Sequence, residues 1–338
     1  MRKSSPLTLI LRSSPKRAGA FRASFKRRTL MLLKFEQAMT KYPISQVATK
    51  DLTLSSGFTV KTYKAEPSVP DSGKVLVLLN GGPGLPCEYL LAPHLRLLEH
   101  GWTVISYDQL GCGQSDRPKD DSLWTLERYV SELEEIVALL GLDRYCLLGH
   151  SWGTWLGTEF SLRNQRAIRK LILADGACDI PHLVSELNRL RYALGNDTVQ
   201  MMLRHEAQGT LDHEEYRAAI TILNYRHVCR LPVWPEPLVR SIAAWNMDPY
   251  VAMQGPNEFT YTGNMRAWNR IPAMSRLQLP CLVISGEFDE LPPSCSYLIH
   301  NALPDSRLHI FPGCSHMPFY EDPDAYFTRL LDFLNLDK

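Results

Sequence analysis

The sequence Gly-His-Ser-Trp-Gly at residues 149–153 constrains the fold of this 338-residue chain more than any other feature. A short apolar run at 145–148, typical of a buried strand, precedes it, and a helix is predicted over 154–162. A serine between two glycines in this setting predicts a strand-turn-helix so tight that the residues beside the serine must be small. Such a turn holds the hydroxyl of Ser151 clear of the backbone at the carboxyl end of a sheet.

Other apolar runs extend this unit into a sheet. Runs typical of buried strands recur at 74–79, 102–107, 170–173, 281–285 and 308–311. An opening hairpin is predicted over 52–64, and apolar side chains at helical spacing predict helices over 125–140 and 325–336. Strands that alternate with helices indicate a parallel, doubly wound sheet. We therefore predict the α/β class and, with the serine turn, the α/β-hydrolase fold.

The alternation stops after residue 173, and no clear core strand follows until 281. Residues 178–268 show helical patterns, so we predict that they form a helical cap inserted into a core made of 41–177 and 269–338. We predict that residues 1–40 are a separate basic arm, since the first 30 residues hold nine Lys and Arg and no acidic residue precedes Glu36. This composition is typical of a targeting peptide, and a disordered basic tail is the alternative.

A serine hydroxyl needs an adjacent base, and the base needs a carboxylate that fixes its tautomer. In the predicted fold these groups follow the serine in the order carboxylate, then histidine. Asp289 comes just after the run at 281–285, and His316 comes just after the run at 308–311. Both positions lie beyond the carboxyl ends of strands, where catalytic groups of an open α/β sheet converge. We predict that Ser151 is the nucleophile, His316 the base and Asp289 its orienting carboxylate.

Other residues compete for these roles. His150 lies inside the turn, but its position would point it away from the reacting centre. Asp108 ends a strand, yet it precedes the serine, and a turn-stabilising contact is the favoured interpretation; Asp116 is a further rival. His227 falls in the cap, where a surface or structural role is expected.

The glycines at 81, 82 and 84 follow the first core strand and predict an oxyanion hole. Acyl transfer needs two backbone N–H groups aimed at the developing oxyanion. The residue after the nucleophile, Trp152, supplies one, and Gly82 is predicted to supply the other. A plain Gly-Pro turn is the alternative, whereas a phosphate-binding loop is disfavoured because neither G-x-G-x-x-G nor G-K-[ST] is present.

Several segments together resemble the proline iminopeptidases (prolyl aminopeptidases), a family that includes the tricorn-interacting aminopeptidase. The matching segments are GGPG at 81–84, DQLGCGQS at 108–115, GHSWG at 149–153, HVCRLPVWPEP at 227–237, MQGPNEF at 253–259, GEFDE at 286–290 and CSH at 314–316. They keep the family order over about 45–338. The chain departs from the family at Asn80, where His is usual, and at Leu110, where many members have Arg.

The resemblance implies a serine hydrolase that cleaves the N-terminal residue from peptides or amino-acid amides through an acyl-enzyme. That residue is proline or another small or apolar amino acid. The resemblance also implies that Glu258 and Glu290 grip the free α-amino group of the substrate, with help from Tyr250. Two carboxylates beside one ammonium would supply charge-assisted hydrogen bonds. A salt bridge within the cap or a solvated face is the alternative for these carboxylates.

Two other functions stay open at this point. One is an amidase or esterase that acts on a small metabolite, and the other is a non-catalytic α/β-hydrolase-like binding protein. The proposed chemistry requires no metal or organic cofactor, and the expected partner is a peptide or amino-acid amide substrate.

Eight cysteines without any C-x-x-C pair argue against a zinc site and favour a reducing compartment. We therefore predict a cytoplasmic protein, or a mitochondrial or other organellar one if the arm is a transit peptide. No apolar run approaches about 20 residues, so no membrane span is predicted. No structured motif in the arm supports nucleic-acid binding, so none is predicted, and the oligomeric state is left open.

Overall fold

The computed structural model describes residues 44, 47–71 and 73–336, so the predicted arm at 1–40 lies outside the described residues. The strands of the sheet are Ala48–Thr53 (β1), Thr59–Ala65 (β2), Val75–Leu79 (β3), Thr103–Tyr107 (β4), Tyr145–His150 (β5), Ile168–Ala174 (β6), Cys281–Gly286 (β7) and Ser306–Phe311 (β8). They lie side by side in the order β1-β2-β4-β3-β5-β6-β7-β8.

The pairing of these strands confirms the predicted α/β class. β1 and β2 form the opening hairpin, in which Leu52 lies opposite Val60. β2 is antiparallel to β4, and the neighbours from β4 to β8 are all parallel. β4 and β5 are buried along their whole length. Strands covered on both faces have no polar side, which is why the apolar runs show no alternation.

Helices cover the sheet and form the segment between β6 and β7. They are Glu88–His94 (α1), Leu126–Leu139 (α2), Trp152–Asn164 (α3), Ile180–Tyr192 (α4), Asn196–Gln208 (α5), Glu214–His227 (α6), Glu236–Ala243 (α7), Met247–Met253 (α8), Pro293–Ala302 (α9), Pro318–Glu321 (α10) and Pro323–Leu334 (α11).

Helix α2 shows how local sequence sets these boundaries. The hydroxyl of Thr125 caps its first turn by accepting from the amide of Arg128 at 3.3 Å. Leu133 and Ile136 are buried on one face, and Gly141 follows the helix with a φ of 63°. A left-handed residue after the last turn ends a helix, and glycine adopts that conformation without steric cost. The helix predicted over 125–140 is therefore confirmed.

In the described part of the chain, five helices, α4 to α8, occupy the stretch between β6 and β7. This stretch contains the helical segment predicted from the sequence. The boundaries of the cap at 178–268 and of the core at 41–177 and 269–338 stay a prediction. Among the described helices, none combines the length and the apolar character that crossing a membrane requires.

The topology brings polar residues to one edge of the sheet. Parallel strands end at the same edge, and side chains that follow their carboxyl ends meet there. The residues that follow β3, β5, β6, β7 and β8 at this edge include Asn80, Ser151, Asp175, Asp289 and His316.

Candidate active site

Ser151 lies at the sharp turn between β5 and α3. Its backbone has φ 55° and ψ −124°, which non-glycine residues rarely adopt. Its amide donates to the carbonyl oxygen of Ala174 at 3.0 Å and so fixes the turn to the end of β6. A Cβ on Gly149 would lie 2.1 Å from the carbonyl oxygen of Gly153, and a Cβ on Gly153 would lie 2.1 Å from that of Leu79. Both positions therefore accept only glycine without a shift of the backbone.

Asp289 and His316 meet on the loops that follow β7 and β8. Nδ1 of His316 lies 2.7 Å from Oδ1 of Asp289, which also accepts from the amide of Leu291 at 2.9 Å. Both side chains are buried. Because the carboxylate only accepts, Nδ1 of His316 carries a hydrogen, and Nε2 keeps its lone pair. Such a pair can take a proton from a hydroxyl and hold the resulting imidazolium beside a carboxylate.

His150, the residue before Ser151, connects three parts of the site. Its Nε2 donates to the carbonyl oxygen of His316 at 2.9 Å, so its Nδ1 accepts from the hydroxyl of Tyr89 at 2.8 Å. The oxygen of Tyr89 accepts in turn from the amide of Gly81 at 2.6 Å. Burial lowers the pKa of His150 well below its usual value, and the neutral ring is the form that this pattern requires. One chain of hydrogen bonds therefore links the serine turn, the histidine loop and the glycine loop.

The glycine loop at 81–84 lies against the serine turn. A Cβ on Gly81 would lie 2.7 Å from the Cβ of Ser151. The amide of Gly81 is occupied by Tyr89, whereas the amides of Gly82 and Trp152 form no hydrogen bond within the described residues. The two predicted oxyanion donors thus keep their N–H groups available for a negatively charged oxygen.

Trp245 and Asn246, between α7 and α8, hold the glycine loop through two hydrogen bonds. Nε1 of Trp245 donates to the carbonyl oxygen of Pro83 at 3.0 Å, and the amide of Asn246 donates to that of Gly84 at 3.0 Å. Gly82 has a φ of 45°, and a Cβ there would lie 2.6 Å from the ring of Trp245. The loop therefore needs glycine where the segment between α7 and α8 presses on it.

His227, the last residue of α6, supports the loops that follow β7 and β8 through its backbone. Its carbonyl oxygen accepts from the amides of Glu290 at 3.1 Å and His316 at 3.2 Å. Its Nδ1 donates to the carbonyl oxygen of Phe288 at 2.8 Å. His227 therefore has a structural role, and it plays that role at the loops of the candidate site. The only sequence signal for it was its place at the start of the HVCRLPVWPEP segment.

Glu290 and Glu258 are carboxyl groups close to the base. Oε1 of the buried Glu290 lies 3.5 Å from Nε2 of His316. Glu258 accepts from Nε2 of Gln254 at 3.0 Å and from the hydroxyl of Tyr250. The structure thus brings together all three residues that the resemblance assigned to amino-group binding.

The electrostatics of these two glutamates suit a bound cation. Burial raises the pKa of Glu258, and burial together with the charges of Glu258 and Asp289 raises the pKa of Glu290 well above its usual value. Oε2 of Glu290 is buried and receives no hydrogen bond from the described residues. In the same part of the chain, no lysine or arginine forms an ion pair with either glutamate. A cation brought in from outside would relieve this unfavourable arrangement.

The rival carboxylates stabilise turns instead. Asp108 accepts from the amides of Cys87 at 3.0 Å and Gln114 at 2.9 Å, and from the hydroxyl of Tyr63 at 2.9 Å. Asp116 accepts from the amide of Thr59 at 2.7 Å. Their donors hold loops together, as the turn-stabilising interpretation of Asp108 expects.

Asp175 was not among the predicted site residues. It is fully buried directly after β6 and has a φ of 51°, so it is the second non-glycine residue with positive φ in the described chain, after Ser151. Its position after a strand at the active edge was the one available signal, because no sequence motif surrounds it.

The sequence of this chain is similar to those of known proteins. Residues 74–323 match the family model described as alpha/beta hydrolase fold. The chain is 37% identical over 264 residues to a proline iminopeptidase of Heyndrickxia coagulans, which covers 78% of this chain and 91% of the relative. It is 35% identical over 280 residues to a proline iminopeptidase of Saccharolobus solfataricus, which covers 82% and 90%.

Two solved structures are similar over most of the chain. The crystal structure of VinJ matches with a TM-score of 0.80 and 32% identity over 85% of this chain and 98% of that one. A proline iminopeptidase of Mycobacterium smegmatis matches with a TM-score of 0.79 and 31% identity over 85% and 97%. These matches confirm the α/β-hydrolase fold predicted from the sequence.

Replacing Gly153 with alanine should destabilise the fold, because the new Cβ would lie 2.1 Å from the carbonyl oxygen of Leu79. We expect the free energy of unfolding to fall by about 1–3 kcal/mol, the usual cost of overpacking. Urea unfolding followed by circular dichroism measures it.

Gly157→Ala is the matched control, one turn further along α3. Its Cβ would meet Cδ1 of Leu79 at 3.5 Å, an ordinary contact. This variant should gain roughly 0.5–1 kcal/mol from helix propensity. Equal stability of the two variants would show that the turn is not as tight as the contacts indicate.

Proposed function

Because the chain belongs to the α/β-hydrolase family and, within it, to the proline iminopeptidases, we propose that it is a serine aminopeptidase. It removes an N-terminal proline, or another small or apolar residue, from peptides or amino-acid amides. The observation that carries the proposal is the buried Asp289–His316 pair beside the strained turn at Ser151.

The reaction follows from the positions of these groups. Oγ of Ser151 attacks the carbonyl carbon of the N-terminal residue, and Nε2 of His316 takes its proton. The carboxylate of Asp289 stabilises the imidazolium, while the amides of Gly82 and Trp152 bind the oxyanion. His316 then protonates the leaving amine. Water, activated by the same histidine, releases the amino acid from the acyl-enzyme and restores the serine.

The two glutamates support specificity for a free N-terminus. In an N-terminal residue the amino nitrogen lies only two bonds from the carbonyl carbon, about 2.5 Å away. A group that grips the ammonium must therefore lie within a few ångströms of the base. Oε1 of Glu290 meets this condition at 3.5 Å from Nε2 of His316, and Glu258 provides the second carboxylate. Tyr250 holds Glu258 in place through its hydroxyl.

The cysteines support a reducing compartment as the place of action. Those in the described residues are all buried and unpaired, as in proteins of the cytoplasm. Targeting to mitochondria or another organelle depends on the arm at 1–40, which lies outside the described residues.

Ser151→Ala should abolish turnover of prolyl, alanyl and leucyl arylamides, because the variant lacks the attacking oxygen. The expected loss of kcat is at least about 10³-fold, and the melting temperature should change little. Ser161→Ala is the matched control. Ser161 is a buried serine of α3, the helix that follows Ser151, and its Oγ forms no hydrogen bond within the described residues. A fluorophosphonate probe should label the wild type at Ser151. Turnover by the alanine variant would remove Ser151 as nucleophile, and an unlabelled wild type would favour a binding protein.

Glu258→Gln should weaken substrates with a free amine far more than simple acyl esters. Losing one charge-assisted hydrogen bond should lower kcat/KM for prolyl arylamide by roughly 10- to 100-fold, with little effect on the ester. Glu214→Gln removes the same charge from an exposed position of α6 and serves as the control. Equal losses on arylamide and ester would remove the ammonium role. An ester preference in the wild type would favour an esterase.

The acid side of the pH profile should be steeper for arylamides than for esters. The pKa values of Glu258 and Glu290 are raised, so both carboxylates become neutral as pH falls through these raised values and lose their attraction for ammonium. The ester depends only on the base, so log kcat/KM should fall with a slope of about one per pH unit. The arylamide should fall more steeply, and Glu258→Gln should reduce that slope. Parallel profiles in the wild type would contradict this assignment.

A further inference from the structure

Asp175 places a second buried carboxyl group beside Asp289. The amide of Asp175 donates to the carbonyl oxygen of Ile284 at 2.8 Å, and its Oδ1 accepts from the amide of Gly286 at 3.0 Å. Both contacts are to β7, the strand that leads to Asp289. The side chains of Asp175 and Asp289 lie within hydrogen-bonding reach of each other.

The two carboxyl groups leave matching atoms without donors. Oδ2 of Asp175 and Oδ2 of Asp289 are both buried, and neither receives a hydrogen bond from an N–H or O–H group of the described residues. Two ionised carboxylates in this position would repel each other and leave both atoms unsatisfied. One proton between them satisfies both, because the protonated group donates and the ionised one accepts.

The donors around each group decide where that proton resides. Oδ1 of Asp289 accepts from Nδ1 of His316 and from the amide of Leu291, whereas among the described residues Oδ1 of Asp175 accepts only from the amide of Gly286. A carboxyl group with more donors holds negative charge better. Asp289 therefore keeps the charge that the imidazolium needs, and Asp175 holds the proton.

We propose that Asp175 is a neutral carboxylic acid whose O–H donates to Oδ2 of Asp289 and so positions the orienting carboxylate of His316. The proposal rests on the proposed function, since it assumes that Ser151, His316 and Asp289 act together. Asp175 is a positioning residue: it fixes the rotamer of Asp289 and satisfies the oxygen that faces away from the histidine.

The surroundings and the backbone agree with a neutral acid. Burial raises the pKa of Asp175 well above its usual value, and the charge of Asp289 raises it further. The other titratable groups that face it are Glu321 at the end of α10, the phenols of Tyr89 on α1 and Tyr326 on α11, and the thiol of Cys314, none of them a cation. A strained φ of 51° at a buried non-glycine residue is typical of a functional position.

Two substitutions at this position separate the neutral acid from an ionised one. In Asp175→Asn the amide keeps the shape, donates to Oδ2 of Asp289 and accepts from the amide of Gly286, and asparagine tolerates positive φ. Asp175→Ala removes the donor and leaves Oδ2 of Asp289 unsatisfied. We expect the alanine variant to lose roughly 5- to 150-fold in kcat and the asparagine variant to restore most of that loss.

The pH profile supplies a readout that a purely structural role would not move. It is measured with a neutral acyl ester, so that ammonium binding by Glu258 and Glu290 does not contribute. In Asp175→Ala, Asp289 has one donor fewer and binds the imidazolium more strongly, so the acid limb should move to higher pH. In Asp175→Asn the limb should stay where it is in the wild type. Asp143→Asn, at an exposed aspartate, is the control for the change of residue type.

Infrared spectroscopy of the folded wild type tests the proton directly, even if the alanine variant fails to fold. In the difference spectrum of the wild type and Asp175→Asn at neutral pH, one carbonyl stretch of a protonated carboxyl group should be lost, while the bands of other protonated carboxyl groups cancel. A difference spectrum without that lost band, or an asparagine variant as inactive as the alanine variant, overturns the proposal.

Asp289→Asn distinguishes this failure from failure of the proposed function. It should lose about 10⁴-fold in kcat, as expected when the orienting carboxylate of a triad is neutralised. If Asp289→Asn stays active, the triad itself is wrong. If it is inactive and Asp175→Asn is inactive too, the triad stands and the neutral acid does not.

Discussion

The close approach of Gly153 to the carbonyl oxygen of Leu79 sets the distance between α3 and the sheet, and the rest of the site depends on it. Because only hydrogen fits there, the helix starts at the very edge of the sheet and forces Ser151 into its strained conformation. Such strain costs about 1–3 kcal/mol and persists only where the surroundings enforce it. Here the enforcement is the ladder of β3, β5 and β6, which is buried at the carboxyl ends of all three strands, together with the hydrogen bond from Ser151 to Ala174. One turn thereby brings the ends of three strands to the same place.

The segment between β6 and β7 holds the loops of the proposed site in place. The backbone of His227 supports the loops that carry Asp289 and His316, and Trp245 holds the glycine loop. The loop that carries Glu258 is anchored by Asn257, whose amide donates to the hydroxyl of Tyr216 at 2.9 Å. That hydroxyl donates to Glu206, which also pairs with Arg191 at 2.6 Å. These contacts tie the segment between β6 and β7 to the glycine loop and to the loops that carry Asp289 and His316.

The sequence was sufficient for the fold, and it nominated the candidate residues that have motifs around them. Apolar runs located the six core strands, although β5 continues to His150 because its pairing with β6 extends beyond the apolar run. Chain order and loop position nominated Asp289 and His316, which the structure brings within 2.7 Å. The hydrogen bonds from the amides of Glu290 and His316 to the carbonyl oxygen of His227 could not be predicted. Every residue type has a backbone carbonyl, so the identity of the side chain gives no signal for such a contact. Asp175 was not predicted because it matters through its contact with Asp289, which is 114 positions away in the chain. Sequence spacing alone does not reveal that contact.

The carboxyl groups of the candidate site differ in the number of hydrogen-bond donors around them, and this difference suits them to different roles. Asp289 has two N–H donors and carries charge for the histidine, while Glu258 is supported by Tyr250 and Gln254. Glu290 has the least support, since one of its oxygens lies 3.5 Å from Nε2 of His316 and the other has no donor within the described residues. In the proposed function, an ammonium bound between the two glutamates would supply what Glu290 lacks. It would also neutralise the negative charge beside Nε2 of His316 and leave that nitrogen free to face the serine hydroxyl. In this proposal, recognition of the free amine and readiness of the base would depend on the same two atoms, Oε1 of Glu290 and Nε2 of His316.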